Sequence, residues 1–224
     1  MLQLALIVAL QTHEPVVINV AGWKVKVNRS FSEEEATKKA ILLLRSQLDQ
    51  IVRVVPKGAV AKLKKVTLYF SPEYPNVRPT AEYHPGAKWL SDNGRNSSMA
   101  KGVEFTNIRI FESEVRRMPN FALHELAHAY HDQVLPDGFA NSEVRAAYER
   151  AKSGGTYEKV ERQDSEGKKR LDRAYALTNP QEYFAECTEA YFTRNDFFPF
   201  DRTQLKGHDP YMFDLLAKLW ASQS

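Results

Sequence analysis

Residues 124–128 read His-Glu-Leu-Ala-His, and no other stretch restricts the fold as much. Histidines at i and i+4 share a face only if the segment is helical, where they lie about 40° apart around the axis. Such a helix needs a buried side, and Ala122, Leu123, Leu126, Ala127 and Tyr130 supply its apolar surface. With Zn–N bonds of about 2.0–2.1 Å, two imidazoles on one face can share a tetrahedral zinc. Glu125, about 100° around from His124, can then serve as general base toward a water activated by the metal. In a chain with only six His, roughly 0.01 matches to this pattern arise by chance. The competing reading is a pair of surface or core histidines on an ordinary amphipathic helix.

A catalytic zinc usually takes three protein ligands plus water, so a third ligand has to be found. His131 is the nearest candidate, but it projects about 300° around from His128, off the paired face. Residues 179–186, Asn-Pro-Gln-Glu-Tyr-Phe-Ala-Glu, are a better source. Pro180 suits the first turn of a helix, and Glu182 and Glu186 then recur at i and i+4 on one face. One carboxylate can bind the metal while the other orients a ligating imidazole through its second nitrogen. Taken alone, the pair also reads as a solvated acidic face.

These two segments resemble those of the gluzincin metallopeptidases related to the catalytic domain of anthrax lethal factor and to the bacterial Pro-Pro endopeptidases. The resemblance is carried by the His124 to His128 motif, continuing as Ala129-Tyr130-His131-Asp132, and by residues 175–186. The latter run as Tyr175, six intervening residues, Glu182, two aromatics, Ala185 and Glu186. It covers residues 120–193. It implies a zincin-like metallopeptidase domain with one Zn2+ per chain, held by His124, His128 and Glu182, with Glu186 as their supporting carboxylate. It further implies Glu125 as general base and Tyr175 as the phenol that steadies the tetrahedral intermediate. The chemistry is sound for each residue, since a carboxylate can shuttle the proton and a phenol can donate to a developing oxyanion. The expected function is a zinc-dependent endopeptidase acting on a peptide or protein substrate. The alternative is a zinc-stabilised, non-catalytic binding or scaffold domain, which has no need of Glu125 or Tyr175. The amino-terminal half carries no such resemblance, so no cleavage specificity follows, for proline or otherwise.

The fold class expected is α+β, in one domain over residues 1–224. A mixed sheet-and-helix half (16–117) precedes a helical half (118–224), with the active-site helix between them. Val16 to Val20 and Trp23 to Val27 flank Ala21-Gly22 as a hairpin with a two-residue turn. Ser32 and Glu35 read as a capping box ahead of an apolar stripe running from Ala36 to Ile51. Residues 65–70 and 102–110 have strand-like composition, and 103–110 is the expected edge strand for an extended peptide. A long Pro- and Gly-punctuated loop separates them and contains His84, a candidate cleft residue. Helices are expected over 120–135, 142–152, 180–193 and 210–221. Residues 157–173, of both charge signs, read as a solvated loop or a mobile flap, and Cys187 as a small core residue.

Composition removes several classes. With 31 Lys+Arg against 28 Asp+Glu and a formal charge of +3, the chain lacks the dense basic tract of a nucleic-acid binder. The single cysteine excludes an internal disulfide framework and Cys-rich zinc fingers. No apolar run reaches the roughly 18–20 residues of a membrane span. Residues 1–11, MLQLALIVALQ, have the apolar length of a signal-peptide core without a basic residue ahead of it. Residues 1–15 therefore read as a leader remnant or a buried element, with secretion or a periplasmic location the expectation. Oligomeric state leaves no mark in the sequence.

Overall fold

The computed structural model describes residues 14–221, so the apolar residues 1–11 lie outside them. A turn at Ala21-Gly22, with φ of 52° and 96°, joins β1 (Val16–Val20) to β2 (Trp23–Val27) as an antiparallel hairpin. Positive φ at both turn residues matches the right-handed twist of the strands, and glycine at the second position meets it without strain. Trp23, Val25 and Val27 alternate inward, and the Trp23 indole donates to Leu63 O at 2.9 Å.

The first long helix, α1 (Glu35–Val54), starts after the expected cap. Asn28 closes a short 3-10 turn at Arg29–Phe31 by accepting from Ser30 N, and Ser32 Oγ donates back to Arg29 O. Ser32 is thereby spent on that turn, and Glu34 precedes α1 without a side-chain cap. The predicted stripe is otherwise observed: Ala40, Leu44, Gln47, Leu48 and Ile51 are buried. Pro56 then separates α1 from α2 (Lys57–Leu63).

Three further strands and two short helices complete this half: β3 (Leu68–Phe70), β4 (Ala81–Tyr83), α3 (Ala87–Asp92), β5 (Val103–Phe105) and α4 (Phe111–Arg117). The sheet order is β1-β2-β3-β5-β4, with β2, β3 and β5 parallel and β4 antiparallel to β5. This corrects the expected edge. Residues 103–105 form an interior strand, buried at every position, and residues 108–110 leave it as a 3-10 turn. The edge is instead β4, three residues inside the stretch that reads as loop, too short to show an alternating pattern.

The remaining chain is mainly helical: α5 (Phe121–Gln133), α6 (Ser142–Gly154), α7 (Pro180–Phe192), α8 (Arg202–His208) and α9 (Pro210–Ala221). Asn120, Asn141 and Asn179 each accept a backbone N–H at the start of α5, α6 and α7, which satisfies donors a helix end leaves open. Between α6 and α7 lies an antiparallel hairpin of β6 (Val160–Gln163) and β7 (Lys169–Asp172). It replaces the expected flap. Gln163 N donates to Asp196 O and Phe198 N to Glu161 O, tying β6 to the segment after α7, and Tyr157 is fully buried. One apolar cluster runs from Val20 to Trp220 through both halves. At its back Tyr130 of α5 stacks on Trp220 of α9 at 3.9 Å and donates to Leu219 O. No helix among the described residues is long and apolar enough to cross a membrane.

Candidate metal centre and cleft

The start of α5 is fixed by polar groups from α1. Buried Gln47 accepts from Ala122 N at 2.9 Å, while Asn120 Nδ2 donates to Gln47 O and Gln50 Oε1. These bonds set the rotation of α5, and α7 packs along its other side. His124 and His128 then stand one turn apart with ring centroids separated by 4.8 Å. Across from them, the Asn179 cap and Pro180 place Glu182 in the first turn of α7. Its Oε2 lies 3.1 Å from His124 Nε2 and 3.3 Å from His128 Nε2.

The spacing of these donors fits a small tetrahedral cation. Bonds of about 2.0–2.1 Å imply donor–donor edges of about 3.3–3.4 Å, close to the two distances observed. All three donor atoms lie within 4.8 Å of one another, and the set of two imidazoles and one carboxylate matches zinc preference. Burial opposes charge on both rings, yet the carboxylates of Glu182 and Glu189 hold His124 well above the usual histidine range. Burial leaves His128 below that range. Glu182 is itself partly buried, which disfavours its charge, but hydrogen bonds with His124 and His128 hold it far below an ordinary carboxylate.

The other nitrogen of His124 is held by a residue that sequence reasoning did not single out. Glu189 Oε2 lies 2.8 Å from His124 Nδ1 and is fully buried, whereas Glu186 Oε1 stands 3.8 Å away. Glu186 instead accepts from Asn195 Nδ2 at 3.0 Å. Glu189 is one turn beyond Glu186 on the same helix face, and the recurrence at i+7 from Glu182 was the available signal.

Glu125 opens into the same cleft, a cavity of about 720 Å³ also lined by His124, His128, Tyr175 and Glu182. Burial, with the nearby Glu182 charge adding to it, pushes the Glu125 carboxyl up to about 8. Its Oε2 accepts from Tyr83 N at 2.8 Å, which ties it to β4. Thr106 N donates to Thr80 O and His84 N to Gly102 O, so alternate β4 residues face β5. The intervening Ala81 and Tyr83 turn their backbone groups outward, toward the cleft. Tyr175, in the 3-10 turn Tyr175–Leu177, is half-exposed on the opposite wall. Burial and Glu182 raise its phenol further, so it is a proton donor at neutral pH.

Three other residues singled out in the sequence lie elsewhere. His131 is fully buried between Phe139 and Phe184, with both ring nitrogens unpartnered and its pKa drawn to about 4 by burial and His128. His84 is buried away from the metal-ligand set: its Nε2 pairs with Glu104 at 2.9 Å. Glu104 also takes Tyr74 OH and Arg95, and Arg95 bridges to Glu82, so this network braces β4 against β5. Cys187 is packed in the core with its thiol pushed up by burial.

Residues 93–219, more than half of the chain, match the profile of the family described as anthrax toxin lethal factor, N- and C-terminal domain. The match takes in both helices that carry the cleft side chains and excludes the first four strands. No curated protein and no solved structure matches the chain.

Proposed function

The chain belongs to the anthrax toxin lethal factor family, and from that premise we propose that it is a zincin-like, zinc-dependent endopeptidase. One observation carries the reading: His124, His128 and Glu182 bring three donor atoms within 4.8 Å of one another beside the half-buried Glu125 in an open cleft. When bound, zinc supplies Lewis-acid polarisation of the scissile carbonyl and acidifies water. The remaining work falls to this chain's own side chains.

An extended peptide pairs with the outward backbone groups of Ala81 and with the Tyr83 carbonyl, the Tyr83 N–H being held by Glu125, which sets its scissile bond over Glu125. Glu125 accepts a proton from the attacking water and returns it to the leaving amine. Tyr175 donates its phenolic proton in a hydrogen bond to the oxygen where negative charge develops. Glu189 holds His124 in one tautomer and orientation. A non-catalytic scaffold explains the metal-ligand set but gives no reason for a half-buried carboxyl tied to the edge strand in the same cleft.

The test is proteolysis of a degenerate peptide library by zinc-supplemented protein, compared with Glu125→Gln. The wild type is expected to cut and the variant to retain metal while losing at least about 10²-fold in turnover. Equal activity in both proteins refutes the role of Glu125, and an uncut library with metal bound favours the scaffold.

A further inference from the structure

Away from the metal-ligand set, one end of the cleft is lined by Arg78, Arg117 and Arg162 together with Glu114, Asp196 and Phe197. Four elements or loops contribute, so the cluster is invisible in sequence. Arg117 Nη2 pairs with Glu114 at 2.6 Å and its Nη1 with Asp196 at 3.0 Å, while its Nε is buried without a partner. Arg162 shares Asp196 through its Nε at 3.3 Å and lies over the Phe197 ring at 4.5 Å. Its Nη1 also stands 3.7 Å from Asp172, on the neighbouring strand β7. Arg78 reaches only Glu114, at 3.9 Å, and its side chain is 81% exposed.

Within the cleft lining at this end three guanidiniums meet two carboxylates, Glu114 and Asp196, while Asp172 pairs with Arg162 from outside the lining. The surplus of the lining is positive, it faces a concave surface with an aromatic floor, and its most exposed guanidinium, Arg78, is only loosely paired. Concave low-dielectric walls strengthen the field of such a surplus. The guanidinium fork favours a carboxylate over a neutral amide of the same shape. Resting on the peptidase reading above, we infer that this end of the cleft binds a carboxylate of the substrate. That carboxylate is supplied either by an Asp or Glu side chain near the cut or by a free peptide C-terminus.

Binding is measured on zinc-supplemented Glu125→Gln protein, so that turnover plays no part. The probes are fluorescein-labelled degenerate peptide pools in matched pairs: one position fixed as Glu or Gln, and the C-terminus free or amidated. The acidic member of at least one pair is expected to bind about tenfold more tightly at low salt, with the advantage shrinking as salt is raised. A preference in the Glu/Gln pair assigns the side chain, and one in the acid/amide pair assigns the C-terminus. Adding Arg78→Gln, whose exposed side chain carries no fold, removes most of the advantage while leaving the neutral pools unchanged. Arg162→Gln does the same if β6 stays paired, which circular dichroism and thermal melting report.

Equal binding within every pair, or no binding at all, overturns the inference. Wild-type protein is given the same pools in parallel. Cleavage without charge preference removes this inference and leaves the peptidase reading intact, whereas charge-selective binding without cleavage does the reverse.

Discussion

Replacing Glu189 by Gln is expected to weaken zinc binding more than the same change at Glu186. The difference follows from two distances to one atom: His124 Nδ1 lies 2.8 Å from Glu189 Oε2 and 3.8 Å from Glu186 Oε1. Only the first is within hydrogen-bonding range. Removing a partner of this kind typically costs about 10–100-fold in metal affinity, or about 1.4–2.7 kcal/mol. Glutamine keeps a carbonyl that can still accept from Nδ1–H but loses the negative charge, so the lower end, about tenfold, applies to Glu189→Gln. Glu186→Gln is expected to change affinity by less. Glu189 Oε1 is buried and unpaired, so the new amide adds a folding cost of about 1–3 kcal/mol that thermal melting records separately. The assay is competition against a chromophoric zinc chelator at fixed pH, with circular dichroism to confirm that both variants fold. Unchanged affinity in Glu189→Gln beside a tenfold loss in Glu186→Gln refutes the assignment.

Tyr175→Phe is expected to lower kcat by about 10²–10³-fold, as loss of an oxyanion donor does, with KM and bound metal unchanged. Steady-state kinetics on a library-derived peptide check it, and a pure KM effect speaks against the donor role. The β4 brace predicts acid lability. Burial alone raises the Glu104 carboxyl, but hydrogen bonds from His84, Ser71 and Tyr74 bring it below the ordinary carboxylate range. A carboxyl depressed in the folded state stabilises the protein fully above its unfolded pKa of about 4.3 and loses that contribution as pH falls through the folded value. Tm is therefore expected to drop on acidification from pH 5 to 3, less steeply in Glu104→Gln than in the wild type. Parallel Tm profiles contradict the assignment.

What the sequence reveals of this molecule is what local chemistry encodes. Asn120, Asn141 and Asn179 sit one residue ahead of helices whose apolar periodicity is plain, and Ala21-Gly22 marks its own hairpin. Helical spacing alone pairs His124 with His128 and sets Glu125 beside them, whereas the choice of Glu182 over Glu186 rests on the family resemblance. The edge strand is not legible, because three residues between prolines carry no period and their role comes from pairing with β5. Ser32 shows a local signal overridden by a neighbour, since Asn28 closes a turn first. Residues 160–172 read as solvated loop because their charges hide a hairpin held by backbone bonds to residues 196–198. Glu189 leaves only its i+7 recurrence from Glu182 as a signal, and the arginine wall depends on contacts between elements far apart in the chain, which no window of sequence contains.

The central claim is a metal held by His124, His128 and Glu182. Its most direct test is metal per chain by inductively coupled plasma mass spectrometry on protein purified without chelator and resupplied with zinc, for the wild type and Glu182→Ala. The account predicts about one zinc in the wild type, set by a single three-ligand site, and markedly less in the variant. Near-zero zinc in the wild type, or an undiminished equivalent in Glu182→Ala, contradicts it.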